Sequence, residues 1–374
     1  MKIGIVCYPT YGGSGIVATE LGMAMAGKGH EVHFIAYSQP VKLDFFYAHV
    51  NFHQVSVPEY PLFQYEPYEL ALTSKIVDTV KNFGLELLHV HYAIPHAYAA
   101  YNAKQILAEE NISVAIVTTL HGTDITLVGK NPFYKPAVAF SINKSDVVSC
   151  VSESLKEDTI EFFGIEREID VVPNFIDHKH YHLLEELCPR YALANDQEKI
   201  ITHVSNFRKV KRISDIIKIF AKIQEKIPAK LIMVGEGPEK VSAELLCREL
   251  GIESDVRFIG KSNDVSKILC LSDLFLLPSE KESFGLSALE AMAAKTPVIS
   301  SNTGGLPEVN LDGFSGFTCD VGDVDRMAQL GEYLLNDKER LNQFKQNAYN
   351  RSMIFDIDEI VPLYEEIYAK ALRV

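Results

Sequence analysis

Glu282 and Glu290 stand eight positions apart in the run Glu280-Lys281-Glu282-Ser283-Phe284-Gly285-Leu286-Ser287-Ala288-Leu289-Glu290. A Phe284-Gly285-Leu286 turn between them opens an apolar helical pattern. A helix N-terminus offers unpaired backbone N–H groups and a partial positive charge, which suit a phosphate. A carboxylate further into the same helix can accept from sugar hydroxyls. Together these features form a grip suited to a sugar nucleotide, although each glutamate alone also reads as an ordinary solvated helix residue.

Other segments supply complementary chemistry. Ser205-Asn206-Phe207-Arg208-Lys209-Val210-Lys211-Arg212 puts four cations within five residues. Helix starts favour acidic side chains, so such a cluster is better suited to a diphosphate than to capping. Gly235-Glu236-Gly237-Pro238 closes the next apolar run, a turn with room for a flat base or ribose or simply a tight connection. Gly304-Gly305 follows a later one.

Nearer the start, Tyr8-Pro9-Thr10-Tyr11-Gly12-Gly13-Ser14-Gly15 is a glycine-rich strand-to-helix turn. It lets backbone N–H groups approach an anion but matches neither the dinucleotide fingerprint nor the P-loop. Thr118-Thr119-Leu120-His121-Gly122-Thr123-Asp124 puts His121 at a strand end, where it can exchange a hydrogen bond with a sugar hydroxyl, oriented by Asp124. In His89-Val90-His91-Tyr92-Ala93-Ile94-Pro95-His96, packed histidines fit better than a metal site, because no acidic or cysteine partner stands at ligand spacing. Tyr92 is the better ligand candidate there.

The elements that position these groups alternate along the chain. Apolar runs at 2–7, 32–36, 52–57, 87–91, 115–120, 147–151 and 170–172 read as parallel strands, separated by helical patterns such as 16–26, which Gly27 and Gly29 can close. The pattern restarts at 200–204, 230–234, 256–259, 274–277 and 298–300. An α/β fold with two Rossmann-like, doubly wound parallel-sheet domains follows, and loops at strand carboxyl ends would face an interdomain cleft. The expected domains span 1–174 and 175–356, with 178–189 an irregular connection and a helix at about 357–374 packing back on the first.

At 374 residues, two domains are the expectation, and 47% hydrophobic with 23% charged residues is globular. A formal charge of −14 argues against a nucleic-acid surface. Six scattered cysteines without a C-x-x-C pair suit a reducing, cytoplasmic setting and no structural metal. No apolar run reaches membrane-spanning length, and the apolar start is too short for a secretion signal. Phe45-Phe46-Tyr47 is a candidate subunit contact in a homo-oligomer.

Across essentially its whole length the chain resembles the GT-B glycosyltransferases of family 4, through E-x7-E (Glu282…Glu290), Val234-Gly235-Glu236-Gly237-Pro238 and the glycine-rich first turn. Within that family, CYPTYGGSGIVATELG, HVHYAIPHA, TTLHGTDIT, VSNFRKVKR and SEKESFGLSALEAM resemble the branch that serves bacillithiol biosynthesis. The resemblance implies retaining transfer of N-acetylglucosamine from UDP-GlcNAc to the hydroxyl of L-malate, with no cofactor or metal. It implies that Glu290 binds the ribose, Glu282 the sugar hydroxyls, and Phe284, Gly285 and Leu286 the diphosphate or sugar through backbone. Arg208 with Lys211 or Arg212 would hold the diphosphate, Gly13 would approach the phosphate, Gly235 would line the donor site and His121 would meet the sugar's 6-hydroxyl. Ser14, Tyr92, Thr119, Asn206 and Arg208 are the expected malate contacts. A UDP-GlcNAc 2-epimerase-like enzyme, a family 4 enzyme with another small acceptor, and a non-catalytic sugar-nucleotide sensor stay open as alternatives.

Overall fold

A computed structural model of the chain describes residues 1–10, 12–44, 46–59, 61–182, 190–262 and 265–373. The chain divides into two compact units, Met1–Asn174 with Asp358–Val374, and Phe175–Ile357.

Unit 1 holds β1 (Lys2–Val6), β2 (Glu31–Ala36), β3 (Val50–Gln54), β4 (Leu87–His91), β5 (Ala115–Leu120), β6 (Val147–Cys150) and β7 (Asp170–Val171). They form one parallel sheet in the order β3-β2-β1-β4-β5-β6-β7. All five β4 residues are buried, as parallel strands covered on both faces require. The run expected at 52–57 pairs two residues earlier. Val55 still donates to Ala36, but Val57 precedes Pro58, which has no N–H to extend a ladder. The first helix, Gly13–Gly27, starts three residues before the expected 16. It ends through Lys28, and Gly29 takes the left-handed turn (φ +89°). Helix Ile357–Ala371 buries Tyr364 and Tyr368, and Tyr368 is hydrogen-bonded through its hydroxyl to His89 Nδ1 at 2.8 Å.

Unit 2 holds β8 (Lys199–Val204), β9 (Ala229–Val234), β10 (Val256–Gly260), β11 (Leu274–Leu277), β12 (Val298–Ser301) and β13 (Gly316–Cys319), parallel in the order β10-β9-β8-β11-β12-β13. Helix Ile213–Gln224 packs Ile213, Ile216, Ile217, Phe220 and Ile223 into its core, the spacing of one helical face. β13 escapes the sequence reading because it is a four-residue edge strand that begins with glycine. A Cβ at Gly316 would lie 1.8 Å from the Val298 carbonyl oxygen, so only glycine lets it pair this closely.

The connection expected at 178–189 as irregular begins with regular structure. Lys179–His182 forms a helical turn, and buried His178 binds Asp356 Oδ2 (2.6 Å) and Ser352 Oγ (2.9 Å). Residues 183–189, including Cys188, lie outside the described residues, as does Phe45; Phe46 is fully exposed. Among the described residues no helix is long and apolar enough to cross a membrane.

Candidate active site

In an open parallel sheet, neighbouring strands whose connections leave toward opposite edges create a crevice at their carboxyl ends. The strand orders put that switch between β1 and β4 in unit 1, and between β8 and β11 in unit 2. Most residues singled out from the sequence follow those four strands, with β5 contributing Thr119 and His121, β9 leading to Gly235 and β12 to Gly304.

In unit 2, β8 leads into Asn206 and Arg208, both exposed, around fully buried Phe207. This loop is held by backbone contacts to the turn after β9: Phe207 N donates to Glu236 O (2.9 Å) and Glu239 N to Phe207 O (2.9 Å). A Cβ at Gly235 (φ +127°) would lie 1.8 Å from Ser205 O, and one at Gly237 2.6 Å from Phe207 O. Gly235 and Gly237 are therefore glycine so that two backbones can touch. Beneath them, buried His203 donates from Nδ1 to Leu276 O (2.8 Å) and accepts from Ser205 Oγ at Nε2 (2.6 Å). No sequence signal marks this support, since His203 reads as one more residue of a buried strand.

The β11 turn meets the same loop. Glu280 N donates to Val210 O (2.8 Å), and the Lys211 ammonium pairs with the Glu282 carboxylate, which also accepts from Ser279 Oγ (3.0 Å). Arg212 instead takes a left-handed backbone (φ 52°) and donates from Nε to Asp215 Oδ2 at 2.5 Å. The two adjacent cations that the sequence left interchangeable thus face different partners, and Lys211 is the one beside Glu282. Gly285 (φ 97°) starts helix Leu286–Ala293, where Leu286 is first and Glu290 lies in the second turn. Phe284 is buried edge-to-face against Phe355 (5.6 Å) and leaves its backbone to line the turn. Gly304 and Gly305 press on this segment: a Cβ at Gly304 would lie 1.9 Å from Glu282 O, and Gly305 N donates to that oxygen (3.0 Å).

In unit 1, Gly12 precedes helix Gly13–Gly27, which has neither a side-chain cap nor an acid in its first turn. Its first N–H groups, beginning at exposed Gly13, are open to an anion. Gly15 serves packing, since a Cβ there would lie 2.5 Å from Thr10 O. Tyr11 lies outside the described residues. Ser14 Oγ and Tyr92 OH are 2.7 Å apart, and burial pushes the Tyr92 phenol up to about 12, so it stays a neutral donor. The Tyr92 ring lies 5.3 Å from those of both His121 and Tyr8.

Two sequence expectations need correction. Thr119 is wholly buried, and its Oγ1 bonds His89 Nε2 (2.7 Å) and Ser149 Oγ (2.8 Å). Its hydroxyl faces the interior, while its carbonyl accepts from Tyr92 N (2.9 Å), so it supports Tyr92 from below. Asp124 does not bind the His121 ring. Its carboxylate accepts from Ala93 N (2.9 Å) and Gly122 N (3.0 Å), and burial raises its pKa to about 6 against those amides. The His121 partner is His91, whose Nδ1 lies 2.8 Å from His121 Nε2. This contact joins adjacent strand ends and becomes visible only once the β4–β5 register pairs His91 with Thr119. Among the described residues, no group of three or more His, Cys, Asp or Glu side chains is arranged to hold a metal.

Residues 11–180 match the family described as Glycosyltransferase Family 4, and residues 187–351 match Glycosyl transferases group 1. A Bacillus anthracis protein named N-acetyl-alpha-D-glucosaminyl L-malate synthase is 46% identical over 378 aligned positions, covering 100% of this chain and 98% of the relative. The chain belongs to glycosyltransferase family 4. An uncharacterized glycosyltransferase of Methanocaldococcus jannaschii is 28% identical over 100% of this chain and 99% of its own. Solved structures share this fold at low identity. Sucrose-phosphate synthase from Thermosynechococcus elongatus superposes with a TM-score of 0.81 at 20% identity, covering 99% of this chain and 98% of its own. Anabaena HepE in complex with UDP and glucose gives 0.80 at 21%, covering 99% of each chain. The two Rossmann-like sheets of this family 4 enzyme are those of a GT-B glycosyltransferase.

Proposed function

We propose that this glycosyltransferase moves N-acetylglucosamine from UDP-GlcNAc to the hydroxyl of L-malate with retention at the anomeric carbon, a step of bacillithiol biosynthesis in the cytoplasm. The observation that carries this reading is the full-length 46% identity to the Bacillus anthracis N-acetyl-alpha-D-glucosaminyl L-malate synthase. The geometry of each unit is compatible with it. Arg208, Lys211 and the N–H groups at Gly285 and Leu286 supply positive charge for the diphosphate, and Glu282 and Glu290 supply acceptors for sugar and ribose hydroxyls.

As UDP departs, negative charge grows on its β-phosphate, and preorganised cations stabilise that charge more than the bound ground state. We assign this role to Arg208 and Lys211. The departing phosphate oxygen takes the malate hydroxyl's proton on the same face, so the protein supplies no nucleophile. A trapped glycosyl ester on any Asp or Glu would contradict this. Malate is a dianion, and the Tyr92 phenol, its oxygen accepting from Ser14, donates to one of its carboxylates.

The test is UDP release from UDP-GlcNAc with and without L-malate. Acceleration specific to malate is expected; acceleration only by another hydroxy compound would replace the acceptor and keep the transferase. Tyr92→Phe removes one hydrogen bond to a charged group, of about 1.5–3 kcal/mol, and should raise the KM for malate by roughly 10- to 100-fold. The KM for UDP-GlcNAc should hold within about 3-fold; a comparable rise in both would move Tyr92 out of the acceptor site.

A further inference from the structure

Four histidines, His89, His91, His96 and His121, crowd the carboxyl ends of β4 and β5, and only His121 is partly exposed. The rings of His91 and His121 are stacked at 5.1 Å, with His91 Nδ1 facing His121 Nε2 at 2.8 Å. Burial pushes His121 down to about 3 and His91 well below the usual histidine range, so both are neutral near pH 7. A neutral imidazole has one N–H and one lone pair. One proton therefore lies between the two rings, and its owner decides what His121 presents at Nδ1. If His91 owns it, His121 carries its own proton on Nδ1 and presents a donor. If His121 owns it, Nδ1 is a bare acceptor.

The surroundings of His91 decide between these states. His91 Nε2 is buried and has no partner among the described residues. Were the shared proton on His121, the His91 proton would sit on Nε2 as a buried N–H with nothing to accept it, which is rare and costly. His96 provides an internal comparison. Its Nδ1 lies 2.5 Å from the His91 carbonyl, which can only accept, so its proton is on Nδ1. Its Nε2, also buried and unpartnered, is then a bare lone pair. The packing already accommodates a bare ring nitrogen here and needs no orphaned donor.

We infer that His91 is a positioning residue that donates from Nδ1 to His121 and so holds His121 in its Nδ1–H tautomer, making it a hydrogen-bond donor to its ligand. The kinetic consequence rests on the reading of His121 as a contact to the donor sugar, where it would donate to the 6-hydroxyl oxygen. Free imidazole side chains favour the other tautomer, so the state is one the fold must impose.

The direct test needs no substrate. In protein labelled with 15N in histidine, two-bond proton–nitrogen correlations at pH 7.5, with His121 assigned from its loss in His121→Gln, should show Nδ1 protonated and Nε2 bare. A protonated Nε2 in the wild type overturns the inference. His91→Phe removes the donor and should return His121 toward the Nε2–H form, while His91→Asn, which keeps an N–H at the Nδ1 position, should retain Nδ1–H. Loss of kcat/KM for UDP-GlcNAc of about 10-fold in His91→Phe, largely recovered in His91→Asn, follows from one charge-free hydrogen bond. Equal losses in both, with the tautomer unchanged, would leave His91 a packing residue and overturn its positioning role. An intact tautomer together with donor kinetics indifferent to His121→Phe supports the inference and removes only the assigned sugar contact.

Discussion

Lys211→Ala lowers kcat by about 10²–10³-fold, the size expected when one preorganised donor to developing negative charge is removed. Arg212→Asn, one position away, holds kcat within about 3-fold. The contrast comes from partners rather than residue type. Lys211 reaches the Glu282 carboxylate at the β11 turn, whereas Arg212 is drawn to Asp215 in the first turn of its own helix. Asparagine suits the left-handed backbone at 212, so this substitution tests charge without adding strain. Steady-state UDP release at saturating UDP-GlcNAc and malate is the measurement. A large loss from Arg212→Asn with little from Lys211→Ala would exchange the two roles.

Unit 1 loses stability steeply on mild acidification. His89 and His121 are held down at about 3 and His96 at about 4, all by burial, and His91 lies well below the usual range. In the unfolded chain these rings protonate near 6.5. Between that value and their folded values the unfolded state binds more protons, so stability present above pH 6.5 falls as pH falls. Each group contributes roughly 1.4 kcal/mol per pH unit in this window. Asp124 opposes them: its folded pKa of about 6 is above its ordinary 3.8, so it adds stability below pH 6, one group against these four. At about 2–4 °C per kcal/mol for a domain of this size, Tm should fall by on the order of 10 °C between pH 7 and 5. Calorimetric scans across that interval check it, and a flat Tm would mean the histidines are solvated in the folded protein.

The residues that made the fold legible carry local signals. β4, β5 and β11 begin and end where their apolar runs do, because continuous burial on both faces leaves no doubt about their bounds. Helix Gly13–Gly27 was legible in kind and blurred at its start, because Gly13 and Ser14 are poor helix formers, and Ser14 meets its partner Tyr92 only in the folded unit. β13 was not legible, as its pairing depends on what Gly316 lacks. For the candidate site, the turns that carry Ser14, Tyr92, His121, Arg208 and Glu282 were marked by glycines and polar residues at strand ends. What each side chain meets there was not. Lys211 and Arg212 differ by a backbone angle, Thr119 by which way its hydroxyl turns, and His121 by a partner on the neighbouring strand. Those distinctions arise from register and packing, which one sequence does not display.

The glycine contacts of unit 2 also bear on how such an enzyme can change. Gly235 and Gly237 lie against the backbone of Ser205 and Phe207, and Gly304 and Gly305 against that of Glu282 and Ser283. Loops clamped at main-chain distance cannot drift outward or take up an extra residue without releasing both partners. New substrate preferences in this lineage should therefore arise by exchanging side chains on fixed loops, at Asn206 or Ser283, and seldom by insertion. The inventive part of the site is its decoration, and its frame is inherited whole.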